Sequence, residues 1–160
     1  MKRELKLEMI AGYLPYGLRV KYHYDSGDTA ILEAIGLGLM SVCQEYNGKP
    51  ILRPISDLYR PITHNGKDIV PICELARISK PFISWEWSDG SDYVYDNRDY
   101  TFHYYEEHRC FIFQKGNDAN VVPNQYQLFD YLHELKIDYR GLIDAGLSVD
   151  VNTLDVNPYK

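Results

Sequence analysis

The sequence predicts an α+β fold rich in β-strand: a small antiparallel barrel or coiled sheet closed by C-terminal helices. Three observations predict it. Short apolar or alternating runs recur between tight-turn signals over most of the chain, as small antiparallel sheets require. Aromatic residues make up 14% of the 160 positions and 15 of them are Tyr, and such rings fit a half-buried pleated surface. From Pro123 to Leu154, cap, period and stop signals agree on helix.

The elements follow in order. Lys2 to Ala11 reads as a short helix with Leu5 and Met9 on one side, stopped by Gly12, and Leu14-Pro15-Tyr16-Gly17 turns the chain. Leu18, Val20, Tyr22 and Tyr24 alternate with Arg19, Lys21 and His23, the pattern of a half-buried strand. Asp25 to Asp28 is a hairpin connection to a second strand, Thr29 to Ile35, whose apolar content predicts a central place. Gly36-Leu37-Gly38 bends into a third strand, Leu39 to Tyr46. Asn47-Gly48 then signals a hairpin to a fourth at Ile51 and Leu52, which Pro50 and Pro54 assign to an edge.

Ser56 to Tyr59 reads as one capped helical turn, and Asn65-Gly66 is a second hairpin signal. Pro71 suits the first position of a helix to Ile78 with Ile72, Leu75 and Ala76 inward. Beyond Pro81, the residues Ile83, Trp85 and Trp87 alternate as a strand with one aromatic face. Asp89-Gly90 turns, Tyr93 to Tyr95 is a short strand, and Asp96 to Asp99 is polar loop. Thr101 to Tyr105 and Arg109 to Gln114 form a hairpin across Glu106-Glu107-His108, which Gly116-Asn117-Asp118 closes.

In the last segment Asn124 and Gln127 have capping-box spacing, and Leu128, Leu132 and Leu135 form an apolar stripe. Asp138 is a second N-cap, Leu142 and Ile143 sit in a short helical turn, and Gly146 ends it. An extended tail with Leu147, Val149 and Val151 on one face follows. The length suits one domain over residues 1–160, with a soft boundary at Ser79-Lys80-Pro81. A chain this long needs neither metal nor disulfide to fold.

Composition excludes several roles. A net charge of −6 argues against a nucleic-acid duplex, which demands clustered Lys and Arg. Three dispersed cysteines, Cys43, Cys73 and Cys110, suit a reducing compartment and inert thiols in apolar strings. No run is long enough to span a membrane and the N-terminus lacks a signal-peptide core, so the expected location is the cytoplasm. His103 and His108 flank Glu106 and Glu107, but a five-residue spacing does not put two ligands on one face. No Gly-x-Ser-x-Gly or phosphate loop occurs, so no catalytic residue, metal ligand or cofactor is assigned.

The lead that remains is Trp85, Trp87, Tyr93 and Tyr95 with Arg98 and Arg109. Alternating rings on neighbouring strands sandwich a planar group, and guanidinium groups hold a phosphate. The same two Trp also suit a hydrophobic core. Both readings stand on the sequence.

Leu14-Pro15-Tyr16-Gly17-Leu18, Lys49 to Pro54 with Asp57-Leu58, and Tyr131-Leu132-His133-Glu134-Leu135 running through Gly141-Leu142-Ile143 and Gly146-Leu147 to Asp150–Leu154 carry a resemblance. With these motifs the chain resembles a family of short proteins from phages and prophages of gut Bacteroidales. The match covers both ends, and Asp89 to Asn120 looks variable. The resemblance implies an accessory phage product of the bacterial host cytosol and carries over no catalytic residue. The expected function is non-enzymatic binding of a small anionic, nucleotide-like ligand, with sequestration of a host defence signal as its use. The alternative is a protein-interaction or homo-oligomer-forming module, and a metal-dependent hydrolase comes third.

Overall fold

A computed structural model of the protein describes residues 4–34 and 38–160. The fold is α+β and mostly sheet. The chain divides into two compact units, Met1–Ile55 with Leu132–Pro158, and Ser56–Tyr131 with Tyr159–Lys160. The cuts therefore fall after Ile55 and Tyr131, and Ser79–Pro81 lies inside the second unit. No described helix is long and apolar enough to cross a membrane.

The first unit opens with α1 (Leu7–Ile10), which runs on as a 3-10 helix over Ala11–Tyr16. Gly12 does not stop it. Gly17 does, at φ 70, the left-handed conformation that a C-terminal glycine takes without steric cost. Strands β1 (Arg19–His23) and β2 (Thr29–Glu33) form the expected antiparallel hairpin. Its buried alternation, Leu18, Val20 and Tyr22, follows the sequence pattern, but Tyr24 is exposed.

Three assignments in this unit change. β2 ends its sheet, with Ile31 and Leu32 exposed, so an apolar run was no guide to centrality. Residues 38–45 are helix α2 (Gly38–Glu45) and not a strand. A short apolar run without alternation fits either state. Asn47, at φ 50, therefore follows a helix and makes no hairpin. The predicted bend at Gly36-Leu37 lies outside the described residues, as does Ile35. Finally, β3 (Lys49–Pro54) is central. It pairs antiparallel with β1 and parallel with β10 (Ile137–Asp138) and β11 (Val149–Asp150). Pro50 and Pro54 stand near its two ends, which leaves Arg53 N free to donate to Lys136 O at 2.8 Å.

The core of this unit gathers Ile10, Tyr13, Leu18, Val20, Leu52 and Leu142. Asp138 caps as expected, accepting from Arg140 N at 3.2 Å and Ile143 N at 2.7 Å. The segment it caps is a series of turns and not a helix, closed at Gly146 (φ 69). The tail gives only the two residues of β11 before a 3-10 turn, Val151–Thr153.

A 3-10 turn, Ile55–Tyr59, leads into the second unit, where β4 (Ile62–His64) and β5 (Lys67–Ile69) flank Asn65-Gly66. Both turn residues have positive φ, 50 and 73, as a two-residue hairpin of this type needs. Helix α3 (Pro71–Ser79) buries Ile72, Leu75 and Ala76 as predicted. A four-stranded antiparallel sheet follows in consecutive order: β6 (Val94–Tyr95), β7 (Tyr100–Tyr105), β8 (Cys110–Lys115) and β9 (Asp118–Val121). β9 is an element that the sequence reading treated as a connection. All four of its side chains are exposed, so no apolar alternation marked it.

Ile83 to Trp87 forms no strand beyond one bridge, Glu86 with Tyr95. Its two indoles donate instead to nearby carbonyls, Trp85 to Lys80 O and Trp87 to Ser91 O, which folds the segment on itself. Helix α4 (Gln125–Leu135) buries Leu128, Leu132 and Leu135 completely. Its cap pair meets side chain to side chain, Asn124 Nδ2 donating to Gln127 Oε1 at 3.2 Å. Among the described residues no strand pairing closes a sheet into a barrel.

Candidate ligand cleft

The β7–β8 hairpin sets the geometry. One face carries Phe102, Tyr104 and Phe111, all buried. Trp85 packs on Phe102 at 6.1 Å between centroids, and Phe129 on Phe111 at 5.7 Å. Because strand side chains alternate, Thr101 and His103 take the other face. The register puts Tyr95 and Gln114 on either side of Thr101.

Two clefts open here. One, about 360 Å³, is lined by Asp92, Tyr93, Thr101, His103, Tyr104 and Gln114. The other, about 480 Å³, is lined by Tyr93, Tyr95, Asp96, Asp99, Tyr100 and neighbours including Thr101. They share Tyr93 and Thr101 and so lie side by side, as two compartments of an open groove. The rings of Tyr93 and Tyr95 stand 6.2 Å apart at 58°. Tyr93 is 41% exposed, a large aromatic surface left to solvent beside a cavity.

The walls are held by local chemistry. Asp96 Oδ1 accepts from the backbone N–H of Arg98 (2.9 Å) and of Tyr100 (3.1 Å), which fixes the loop into β7. Asp99 adopts φ 62, and its carbonyl accepts from Gly116 N at 3.2 Å. Lys115 Nζ lies 5.2 Å over the Tyr100 ring. Burial holds the His103 imidazole below its ordinary value, and the carboxylate of Asp92 opposes part of that drop. Below the sheet, Tyr59 OH donates to Tyr104 O and accepts from Tyr104 N, and burial pushes its phenol up to about 12.

The residues expected at the site separate. Tyr93 and Tyr95 come together on the groove. Trp85 is 7% exposed and belongs to the packed interior, with Phe113 edge-on at 6.2 Å. Trp87 is half-buried and held by Ser91. Arg98 lies on the loop that walls the larger compartment, and Arg109, at φ 49, lies in the turn at the far end of the hairpin. A strand of six residues is about 17–20 Å long, so the two arginines do not act on one phosphate. Sequence reasoning missed Thr101, His103 and Gln114. Alternation along the predicted hairpin would have found them, since Thr101 and His103 are two apart and Gln114 stands opposite Thr101.

Other candidates resolve differently. Burial raises the thiol of Cys43 to about 11 and also raises that of Cys73, the direction expected of unreactive cysteines. His103 lies in β7, while His108 lies in the hairpin turn, edge-on to Tyr105. Among the described residues no three His, Cys, Asp or Glu side chains come together as metal ligands would. His133 lies against Gly12 and Tyr13, its Nε2 2.9 Å from Tyr139 OH, inside the first unit's packing. No protein-family model, curated protein or solved structure matches the chain.

Proposed function

We propose that the protein binds a small planar, nucleotide-like ligand without catalysis, in the groove floored by Thr101, His103 and Gln114. One observation carries this reading: Tyr93 presents a large exposed ring at the wall shared by two adjacent cavities. A base stacks well on such a ring. Arg98 lies on the loop from Asp96 to Asp99, and Lys115 lies over the ring of Tyr100, one of the residues that line the larger compartment. Trp87 and Tyr95 support the wall, and Trp85 supports the sheet beneath it.

For the first unit we propose the coiled-sheet form of the expected fold, closed by the turns after Leu135. Burial of Leu142 with Tyr13 and Leu18 supports this. On the motif resemblance we read the chain as an accessory product of phages and prophages of gut Bacteroidales, which sequesters a signal of the host. Isothermal titration of the whole chain against mono-, di- and cyclic nucleotides tests the binding reading. Saturable heat that Tyr93→Ala abolishes is the expected result, and silence across the whole panel ends it.

A further inference from the structure

The two compartments of the groove differ in what they offer a ligand. The smaller presents a hydroxyl (Thr101), an amide (Gln114) and an imidazole (His103) beside the Tyr93 ring. These groups are uncharged near neutral pH when the imidazole is held below its ordinary value. They donate and accept hydrogen bonds, and they sit within the reach of a single strand pair. The larger compartment carries Asp96 and Asp99 on its wall, and Asp92 lines the smaller one. Against these three carboxylates stand Lys115 and Arg98, the latter exposed. A phosphate entering the groove meets at least as much negative as positive charge, while an uncharged heterocycle meets none of that repulsion.

We infer that the groove recognises the base of its ligand, read edge-on by His103, Thr101 and Gln114 and stacked on Tyr93, and that the phosphate contributes little to affinity. This rests on the proposed nucleotide-binding function and says which half of the molecule is read. A neutral imidazole has one donor and one acceptor nitrogen, as a base edge needs. Gln114 Nε2 gives one of its two N–H groups to Gly116 O at 2.7 Å, so Gln114 keeps a second donor and its oxygen acceptor for the edge of a base.

The test titrates the full chain with the four common nucleosides, their monophosphates and inorganic phosphate. At least one nucleoside is expected to bind within about threefold of its monophosphate, because an exposed ionic contact contributes little. Inorganic phosphate is expected to compete with neither. His103→Ala should weaken nucleoside and monophosphate alike by about tenfold, the loss of one good hydrogen bond. Thr101→Val, nearly the same shape, gives a second reading if His103→Ala lowers the melting temperature. Monophosphate binding without nucleoside binding, or displacement by phosphate, overturns the inference and leaves the binding function standing. Nucleoside affinity unchanged in both variants also overturns it. Silence from every nucleoside and nucleotide overturns both.

Discussion

The two compact units are assembled on opposite principles. In the second, strands pair with their sequence neighbours, β6 to β7 to β8 to β9. Its interior is a run of contacting rings, Trp85, Phe102, Phe111, Tyr104 and Phe129. In the first, the central strand β3 takes partners from residues 137–138 and 149–150, 84 and 98 positions away (Arg53 to Ile137, Ile51 to Val149). It also buries the cations Arg53 and Lys136 and the carboxylate Asp138. The difference teaches where ordering entropy is spent. Neighbouring strands close short loops, while β3 gains its parallel partners only after a long segment is organised.

Removing a large apolar group from each interior is the harshest way to break the comparison. Phe111→Ala should cost about 3–5 kcal/mol and Leu132→Ala about 2–5 kcal/mol. Both side chains are fully buried. The two tryptophans, Trp85 and Trp87, both belong to the second unit. Tryptophan fluorescence during urea unfolding therefore reports that unit, and far-UV circular dichroism reports the whole chain. A loss below about 0.5 kcal/mol, the surface range, at either position would show that its packing is assigned wrongly.

Gly12→Ala gives a smaller and sharper test of the first unit. Alanine is the better helix former by about 0.8–1.0 kcal/mol, so propensity alone predicts a gain. A Cβ there would instead fall into the His133 ring, which Tyr13 meets edge-on and Tyr139 OH engages. The expected result is a net loss of about 1–3 kcal/mol, as for other overpacked sites, seen as a lower urea midpoint. A gain would mean that the ring moves aside freely.

The same contrast explains what the sequence made legible. Asn65-Gly66, the β7–β8 hairpin, Pro71 at the start of α3 and the Leu128-Leu132-Leu135 stripe are local signals, and each element formed where the signal lay. Misplaced ranks in a sheet belong to the first unit, where placement depends on distant partners, while in the second the expected strand at Ile83 to Trp87 is absent and β9 is an added strand. Nothing near Ile51 announces that Val149 will lie beside it, and prolines at 50 and 54 argue locally for an edge. A strand's rank in a sheet is a tertiary property, and so β2 was read as central and β3 as peripheral. The candidate site divides in the same way. Tyr93 and Tyr95 are legible as alternating rings on a short strand. Trp85 was ambiguous because a ring's burial is decided by what covers it. The polar floor was within reach through hairpin alternation.

The smallest expected effect concerns the buried cation that most separates the two units. Lys136 follows α4 at φ 60, is 5% exposed, and donates from Nζ to Glu134 O at 2.7 Å. Burial pushes its amine down to about 8, with Arg53 and Arg19 pushing the same way and the Glu134 and Glu33 carboxylates opposing. Between pH 8 and the ordinary lysine value the unfolded chain holds the proton and the folded chain does not. This group alone therefore makes stability rise with pH across that window. Cys43, raised to about 11, acts in the opposite sense above its ordinary thiol value, because there the unfolded chain loses its proton first. Lys136→Met removes the rising contribution and keeps the falling one. At pH 7 relief of the buried charge and loss of the bond to Glu134 nearly offset, for a net change within about 1 kcal/mol. The readout is the slope: from pH 8 to 10 the stability of the variant should fall more steeply than that of the parent. Parallel pH profiles would show that the Lys136 ammonium is solvated in the folded chain, and the contrast between a unit that buries cations and one whose buried charges, Asp57 and Asp96, are carboxylates would lose its principal support.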